Sequence, residues 1–275
     1  MYFMVSIIGA GPVGNYLAGR LSEKGVDADV YEEHRKIGAP IACTGILTSY
    51  LKNLIKVHDE YVVNTINQTD VYSPDGNSVN IKLKKNYIVD RTLFDSHLAD
   101  VAKSSGVKYH LNWKFTGLRK LTGTERKYRL LFQDGKKATD SCIIGADGPG
   151  SVVGRSAGIF GERKFVVGHQ ARVRMKSRID ASLVEFYLDK GNYIGWLVPE
   201  SDRVARIGVA SHKNVKGHFE DLIKKRPGKI LGWQSGPIPV YNPGLKYEQD
   251  GIYLVGDAAT QVKASTYGGI IPGMH

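Results

Sequence analysis

A mixed α/β fold is what the sequence predicts: one domain built on a parallel sheet, with a second, mainly antiparallel β-sheet domain inserted into it. Three observations predict it. Val5–Ile8 is a short apolar run bounded by glycine, too short for a helix, and reads as a buried strand. Helical spacing over Asn15–Lys24, with Leu17, Ala18 and Leu21 on one face, ends at Gly25 and leads to a second strand at Ala28–Tyr31. Farther along, Val62–Ile66 and Val79–Leu83 flank the turn Pro74–Asn77, and 126–133 and 136–144 flank Gln133–Lys136. Such hairpins, alternating between apolar and polar residues, belong to antiparallel sheet.

The connection between the first strand and the first helix carries the chemistry. Gly9, Gly11 and Gly14 fit G-x-G-x-x-G, and Glu32 follows 18 positions past Gly14 at the tip of the second strand. Gly9 is expected to make the tight turn, Gly11 to let the backbone approach a pyrophosphate, and Gly14 to let helix and strand pack closely. The helix N-terminus offers unpaired N–H groups to phosphate. A carboxylate at Glu32 accepts the hydroxyls of an adenosine ribose and disfavours a 2′-phosphate, so NAD or FAD is expected rather than NADP. This is a Rossmann-like dinucleotide site.

Size and composition narrow the class. The chain has 275 residues, 42% hydrophobic and 24% charged, as in a globular protein with room for one large or two ordinary domains. No apolar run approaches the ~20 residues needed to cross a bilayer. The sequence enters its first strand at once, so no signal peptide is expected. Two cysteines, Cys43 and Cys142, fit a reducing cytoplasm and no disulfide framework. The net charge is +11, but the basic residues are scattered and no nucleic-acid-binding signature occurs, so no nucleic acid partner is expected. A positive surface also suits anionic lipid or a phosphorylated substrate. No metal-ligand pattern stands out.

Several further residues are candidates. Cys43, in Cys43-Thr44-Gly45, reads either as a small buried hydrophobe or as a thiol beside a cofactor ring. Arg91 stands just before an amphipathic helix at Leu93–Ala99, as a solvated charge or as a phosphate ligand. His97, on that helix, reads as a surface or packing residue. Cys142 reads as core, inside a strand running into Gly145-Ala146-Asp147-Gly148, a backbone suited to ligand approach. Tyr193–Pro199 is aromatic and apolar, either core or the wall of an apolar pocket. A last buried strand ends in Gly256-Asp257, and Gly268-Gly269 follows. The predicted division is a dinucleotide-binding domain of 1–70, 88–160 and 245–275, which the resemblance given next makes FAD-binding, with a substrate domain of 71–87 and 161–244.

Four segments together resemble one group, the FAD-dependent family that includes para-hydroxybenzoate hydroxylase and the geranylgeranyl reductases. They are Gly9–Gly14 with Glu32, Arg91 before Phe94-Asp95, Gly145–Gly148, and Gly256-Asp257-Ala258-Ala259. The resemblance implies that the glycines and Glu32 hold the ADP half of FAD. It puts Gly256 and Asp257 at the ribityl and pyrophosphate region, Arg91 near the cofactor, and Asp147 in a motif shared by flavin and nicotinamide contacts. The cysteine loop, the Tyr193–Pro199 motif, and Gln261-Val262-Lys263 before the Gly268-Gly269 turn are similar to the archaeal geranylgeranyl reductase branch. Those enzymes saturate isoprenoid double bonds of membrane lipid precursors or prenyl diphosphates. By that resemblance Cys43 lies near the isoalloxazine, and Tyr193 and Trp196 wall the chain-binding pocket.

The resemblance also implies an electron donor, NAD(P)H or a ferredoxin-like protein, and work at the cytoplasmic membrane face as a peripheral protein. The sequence departs from the family pattern at three places: Tyr193 is three residues before Trp196 rather than two, Val198 stands in place of Phe, and Tyr267 in place of a third glycine. The family's next helix is expected to begin at Gly273–His275, which makes the sequence short at its C-terminus relative to the family. Two alternatives remain: an FAD-dependent monooxygenase of a small substrate, and a flavin- or lipid-binding protein without turnover.

Overall fold

A computed structural model describes residues 4–123, 127–191 and 193–275. In chain order the first half contains β1 (Met4–Ile8), α1 (Pro12–Glu23), β2 (Asp27–Glu32), β3 (Ile46–Leu47), α2 (Leu51–Leu54), β4 (Val62–Tyr72), β5 (Ser78–Val89), α3 (Arg91–Ser104), β6 (Lys108–Leu111), β7 (Phe115–Lys120), β8 (Tyr128–Phe132), β9 (Lys137–Asp140) and β10 (Ile143–Gly145). The second contains α4 (Val152–Ser156), β11 (Phe165–Met175), β12 (Leu183–Leu188), β13 (Tyr193–Pro199), β14 (Val204–Ser211), α5 (Val215–Lys225), β15 (Gly228–Pro239), β16 (Glu248–Gln249), β17 (Ile252–Leu254) and α6 (Ile270–Met274).

The chain divides into two compact units, 1–40 with 92–164 and 239–275, and 41–91 with 165–238. In the first, a six-stranded sheet has the order β16-β17-β10-β1-β2-β6. All its pairs are parallel except the β16–β17 edge. β1 is central, and Val5, Ile7 and Ile8 are at most 3% exposed, the apolar residues, interrupted only by buried Ser6, that a strand covered on both faces requires. The chain leaves β1 toward β2 on one side and later returns to β10 on the other. The carboxyl ends of β1 and β10 therefore flank a topological switch point, where open α/β sheets bind ligands. A three-stranded antiparallel sheet, β7-β8-β9, completes this unit.

The second unit is an eight-stranded sheet, β15-β11-β14-β13-β12-β4-β5-β3. The pairs β11–β14, β14–β13, β13–β12, β4–β5 and β5–β3 are antiparallel, and β12–β4 is parallel. One face packs on α5, with Leu197, Ile207, Val209, Phe219 and Leu222 in one core cluster. The opposite face gathers Ile66, Ile88, Val184 and Val198, with Phe186 and Trp196 against them.

The α/β class with an inserted antiparallel domain is what the chain shows, but the junctions fall elsewhere than the sequence predicts. Residues 41–70 belong to the second unit, because β4 pairs along its length with β5 and over Gln68–Tyr72 with β12 rather than with the parallel sheet. The strand expected over 136–144 is also two strands. Buried Asp140 accepts the Ser6 hydroxyl at 2.9 Å and its own neighbour's amide, Ser141 N, at 2.7 Å. The antiparallel β9 ends there and the parallel β10 begins at Ile143. Cys142 is thus half-buried just outside β10 rather than within a strand. It still packs against the first unit's core, and burial, with Asp140 beside it, pushes its thiol up to about 11.

Candidate flavin and substrate site

Three glycine-bearing loops lie at the carboxyl ends of the adjacent strands β1, β10 and β17. After β1, Gly9 has φ +105°, and a Cβ there would sit 2.4 Å from the Ala146 carbonyl oxygen, so only glycine lets these two loops touch. A Cβ on Gly14 would lie 2.1 Å from the Gly9 carbonyl oxygen, which is the close approach of α1 to β1. Gly11 differs from both. A Cβ there would meet nothing within 4 Å. Its backbone caps α1, with Pro12 in the first turn, where a missing N–H costs nothing. The result is an open cradle at a helix N-terminus, fit for phosphate.

Glu32 is 8% exposed at the end of β2. One carboxylate oxygen accepts the Ala10 amide at 2.8 Å, and the other accepts the His34 amide at 2.9 Å and faces His34 Nδ1 at 2.6 Å. A carboxylate offers about four acceptor positions, so at least one remains for a ribose hydroxyl. Glu32 therefore does two things: it fixes the glycine loop from β2, and it presents an acceptor beside it. These residues fit the ADP half of FAD.

The second loop is less direct. Asp147 accepts Ser151 Oγ at 2.6 Å on one oxygen and the Val153 amide at 3.0 Å on the other. Burial holds its carboxyl above the ordinary range. Its side chain thus shapes the start of α4. The backbone of Ala146–Gly148 remains the part that meets Gly9. In the third loop, Gly256 has φ +61° and donates its amide to Gln261 Oε1 at 2.6 Å. A Cβ on Gly269 would lie 2.5 Å from Asp257 Oδ1, so the Gly268-Gly269 turn closes directly on the Gly-Asp segment. Tyr267, where the family pattern has glycine, adopts φ +57° and holds the left-handed turn without one. The helix expected at Gly273 begins at Ile270, and a Cβ on Gly273 would be 2.8 Å from Val13 of α1. Arg91 opens α3 instead of preceding it.

The second unit holds the cysteine loop. Gly45, at φ +74°, passes under Arg206: a Cβ there would be 2.7 Å from both a guanidinium nitrogen and the Val89 carbonyl oxygen. Arg206 donates to the Thr44 and Val89 carbonyls, at 2.5 and 2.9 Å, and to Glu200 at 2.8 Å. Cys43 is half-buried, and its sulfur accepts the Gly45 amide at 3.4 Å. Trp196 shares this face, with its indole N–H on Gln170 at 3.0 Å.

Tyr193 does not share it. Successive strand side chains alternate faces, so a separation of three residues puts Tyr193 and Trp196 on opposite sides of β13. Tyr193 stacks on His218 of α5 at 4.4 Å and packs in the α5-side core. The joint pocket wall expected from the motif is therefore split, and Ile194 takes the place on Trp196's side. Trp196→Phe is expected to lower turnover, and Tyr193→Phe to leave it within about twofold, because the ring that packs is retained. Steady-state rates of the two variants check this.

A profile for NAD(P)-binding Rossmann-like domains matches residues 7–70. A digeranylgeranylglycerophospholipid reductase of Methanosarcina acetivorans is 31% identical over 98% of this chain and 72% of its own length. The chain belongs to that reductase family. The corresponding reductase of Methanocella arvoryzae is likewise 31% identical, over 98% of this chain and 74% of its own. Among solved structures, a geranylgeranyl bacteriochlorophyll reductase-like protein of Thermoplasma acidophilum superposes with a TM-score of 0.89, at 23% identity, covering 99% of this chain and 75% of that one. A probable FAD-dependent monooxygenase of Pseudomonas aeruginosa shares the fold at TM-score 0.75 and 16% identity, over 99% and 83%.

Within the family fold, two polar residues that the sequence did not single out hold the site loops. Asn15 of α1 is fully buried. It donates to the Ala10 carbonyl at 2.9 Å and the Asp95 carbonyl at 3.0 Å, and accepts the Tyr109 hydroxyl at 3.0 Å. It ties the glycine loop to α3 and β6. A polar residue next to the apolar face of α1 was the available signal. The other is Gln170, on β11.

Proposed function

We propose that this chain is an FAD-dependent reductase that saturates isoprenoid double bonds of membrane lipid precursors. The observation that carries the reading is the open cradle at Gly11, walled by Gly9 and Gly14 and fixed by the buried carboxylate of Glu32, in a chain of the digeranylgeranylglycerophospholipid reductase family. Gly9, Gly11 and Gly14 with Glu32 hold the ADP half of FAD. The Gly256-Asp257 and Gly268-Gly269 segments, with the Ala146–Gly148 backbone, line its ribityl and ring region, and Arg91 contributes charge to the cofactor. Reduced FAD, when bound, supplies hydride to an alkene carbon, the second hydrogen arriving as a proton. Cys43 is the thiol of the proposed site, and Trp196 with Ile194 forms apolar wall for the isoprenoid.

The substrate is an amphiphile, so the enzyme meets it at a membrane surface. No helix among the described residues is long and apolar enough to cross a membrane. The net charge of +11 favours peripheral contact with anionic lipid. The reducing partner is NAD(P)H or a ferredoxin-like protein. The monooxygenase reading rests on shared fold alone.

The full chain, loaded with FAD and reduced with dithionite without oxygen, is expected to recolour when a geranylgeranyl phospholipid is added. The product should gain the mass of two hydrogens for each double bond saturated. Oxygen-dependent formation of a hydroxylated product would overturn the assignment, as would a protein that takes up no FAD.

A further inference from the structure

We infer that Gln170 is the positioning residue of the cysteine loop. Gln170, Gly208 and Trp196 lie in one row across the neighbouring strands β11, β14 and β13, paired Gln170 to Gly208 and Gly208 to Trp196. Gly208 makes the row possible: a Cβ there would be 2.4 Å from Gln170 Cβ and 2.6 Å from the indole ring. With no side chain between them, the carboxamide and the indole meet above the middle strand.

The carboxamide is only 5% exposed as a residue and uses both ends. Its Oε1 accepts the Trp196 indole N–H at 3.0 Å and the Thr44 hydroxyl at 2.9 Å. Its Nε2 donates to the Cys43 carbonyl at 3.3 Å and to Gln234 Oε1 at 2.6 Å. Two of these partners fix the orientation without ambiguity, since an indole N–H only donates and a carbonyl only accepts. The side chain cannot flip without two buried mismatches. From the other side, Arg206 donates to the Thr44 carbonyl. The loop is thus clamped on two successive carbonyls, Cys43 by Gln170 and Thr44 by Arg206, and the thiol's direction is set by groups more than a hundred residues away in sequence. The same carboxamide fixes the Trp196 ring, so one residue keeps thiol and apolar wall in register.

This inference rests on the proposed site role of Cys43, and the experiment separates the two. Gln170→Glu keeps shape and the acceptor for Trp196 and Thr44, but turns an oxygen toward the Cys43 carbonyl. In the full chain loaded with FAD and driven by dithionite, kcat is expected to fall by about tenfold or more, with KM within about twofold, because a small displacement of a site group is costly to the reaction and not to binding. FAD content should stay unchanged, its ligands lying in other elements. Iodoacetamide labelling of Cys43, read by peptide mass spectrometry against Cys142, is expected to rise by about threefold or more as the loop is released.

Thr44→Val, which retains the β-branched shape and loses one of the four hydrogen bonds, should raise Cys43 labelling in the same direction. It decides the matter if Gln170→Glu folds poorly. Unchanged Cys43 labelling in Thr44→Val and unchanged kcat in a folded Gln170→Glu would overturn the inference. Full turnover by Cys43→Ala would instead sink the reading of Cys43 itself, while the labelling data would still report whether Gln170 holds the loop.

Discussion

Glu32→Ala is expected to weaken FAD binding by about 1–3 kcal/mol, the cost of leaving buried hydrogen-bonding groups unpaired. At about 1.4 kcal/mol per tenfold, that is roughly 5- to 150-fold in Kd. The effect has two sources in this structure. The ribose loses its acceptor, and the Ala10 and His34 amides lose theirs, so the cradle loosens before any cofactor arrives. Glu32→Gln distinguishes the two. It keeps a carbonyl oxygen for the Ala10 amide but puts an N–H₂ group where the His34 amide also donates. An intermediate loss is therefore expected for it. Flavin fluorescence titration reads both variants, and wild-type affinity in Glu32→Ala would remove Glu32 from the site.

The dinucleotide half of the site was legible because Gly9 and Gly14 answer to backbone constraints close by in sequence. A positive φ at Gly9 and the contact of Gly14 with Gly9 involve residues within one turn of each other, and the motif encodes both. The Tyr193–Trp196 separation was equally legible in principle. An interval of three on a strand puts the rings on opposite faces, and the family's interval of two would have kept them together. What remained hidden depends on distant partners. Gln170 meets Thr44 and Cys43 at separations of 126 and 127 residues. Asn15 meets Asp95 at a separation of 80. No periodicity announces such contacts. The unit junction was missed for the same reason. β4 reads as a strand, but its parallel partner β12 lies more than a hundred residues onward, so the sequence did not say to which sheet it belonged. The split between β9 and β10 was hidden by alternation that continues through Asp140, whose partner Ser6 is 134 residues away.

The glycines of the cradle make opposite predictions although they belong to one motif. Gly14→Ala places a methyl about 2.1 Å from a backbone oxygen, where neither helix nor strand can yield without shifting the other. Overpacking of this kind costs about 1–3 kcal/mol, occasionally more, so Tm should fall by several degrees even without FAD. Gly11→Ala meets no atom, and Gly11 already has φ −71° and ψ 176°, which alanine adopts without strain. Replacement at such a position stiffens the unfolded chain and adds about 0.4–1 kcal/mol of stability. The FAD-free Gly11→Ala protein should thus melt at or slightly above the wild-type temperature. Its FAD affinity should nevertheless drop by about tenfold or more, because the methyl occupies the space through which a phosphate reaches the helix N-terminus. Thermal melts with and without FAD give both quantities in one experiment. A Gly11→Ala protein that FAD stabilises as much as wild type would mean that the pyrophosphate does not lie over Gly11, and the assignment of the cradle would fail with it.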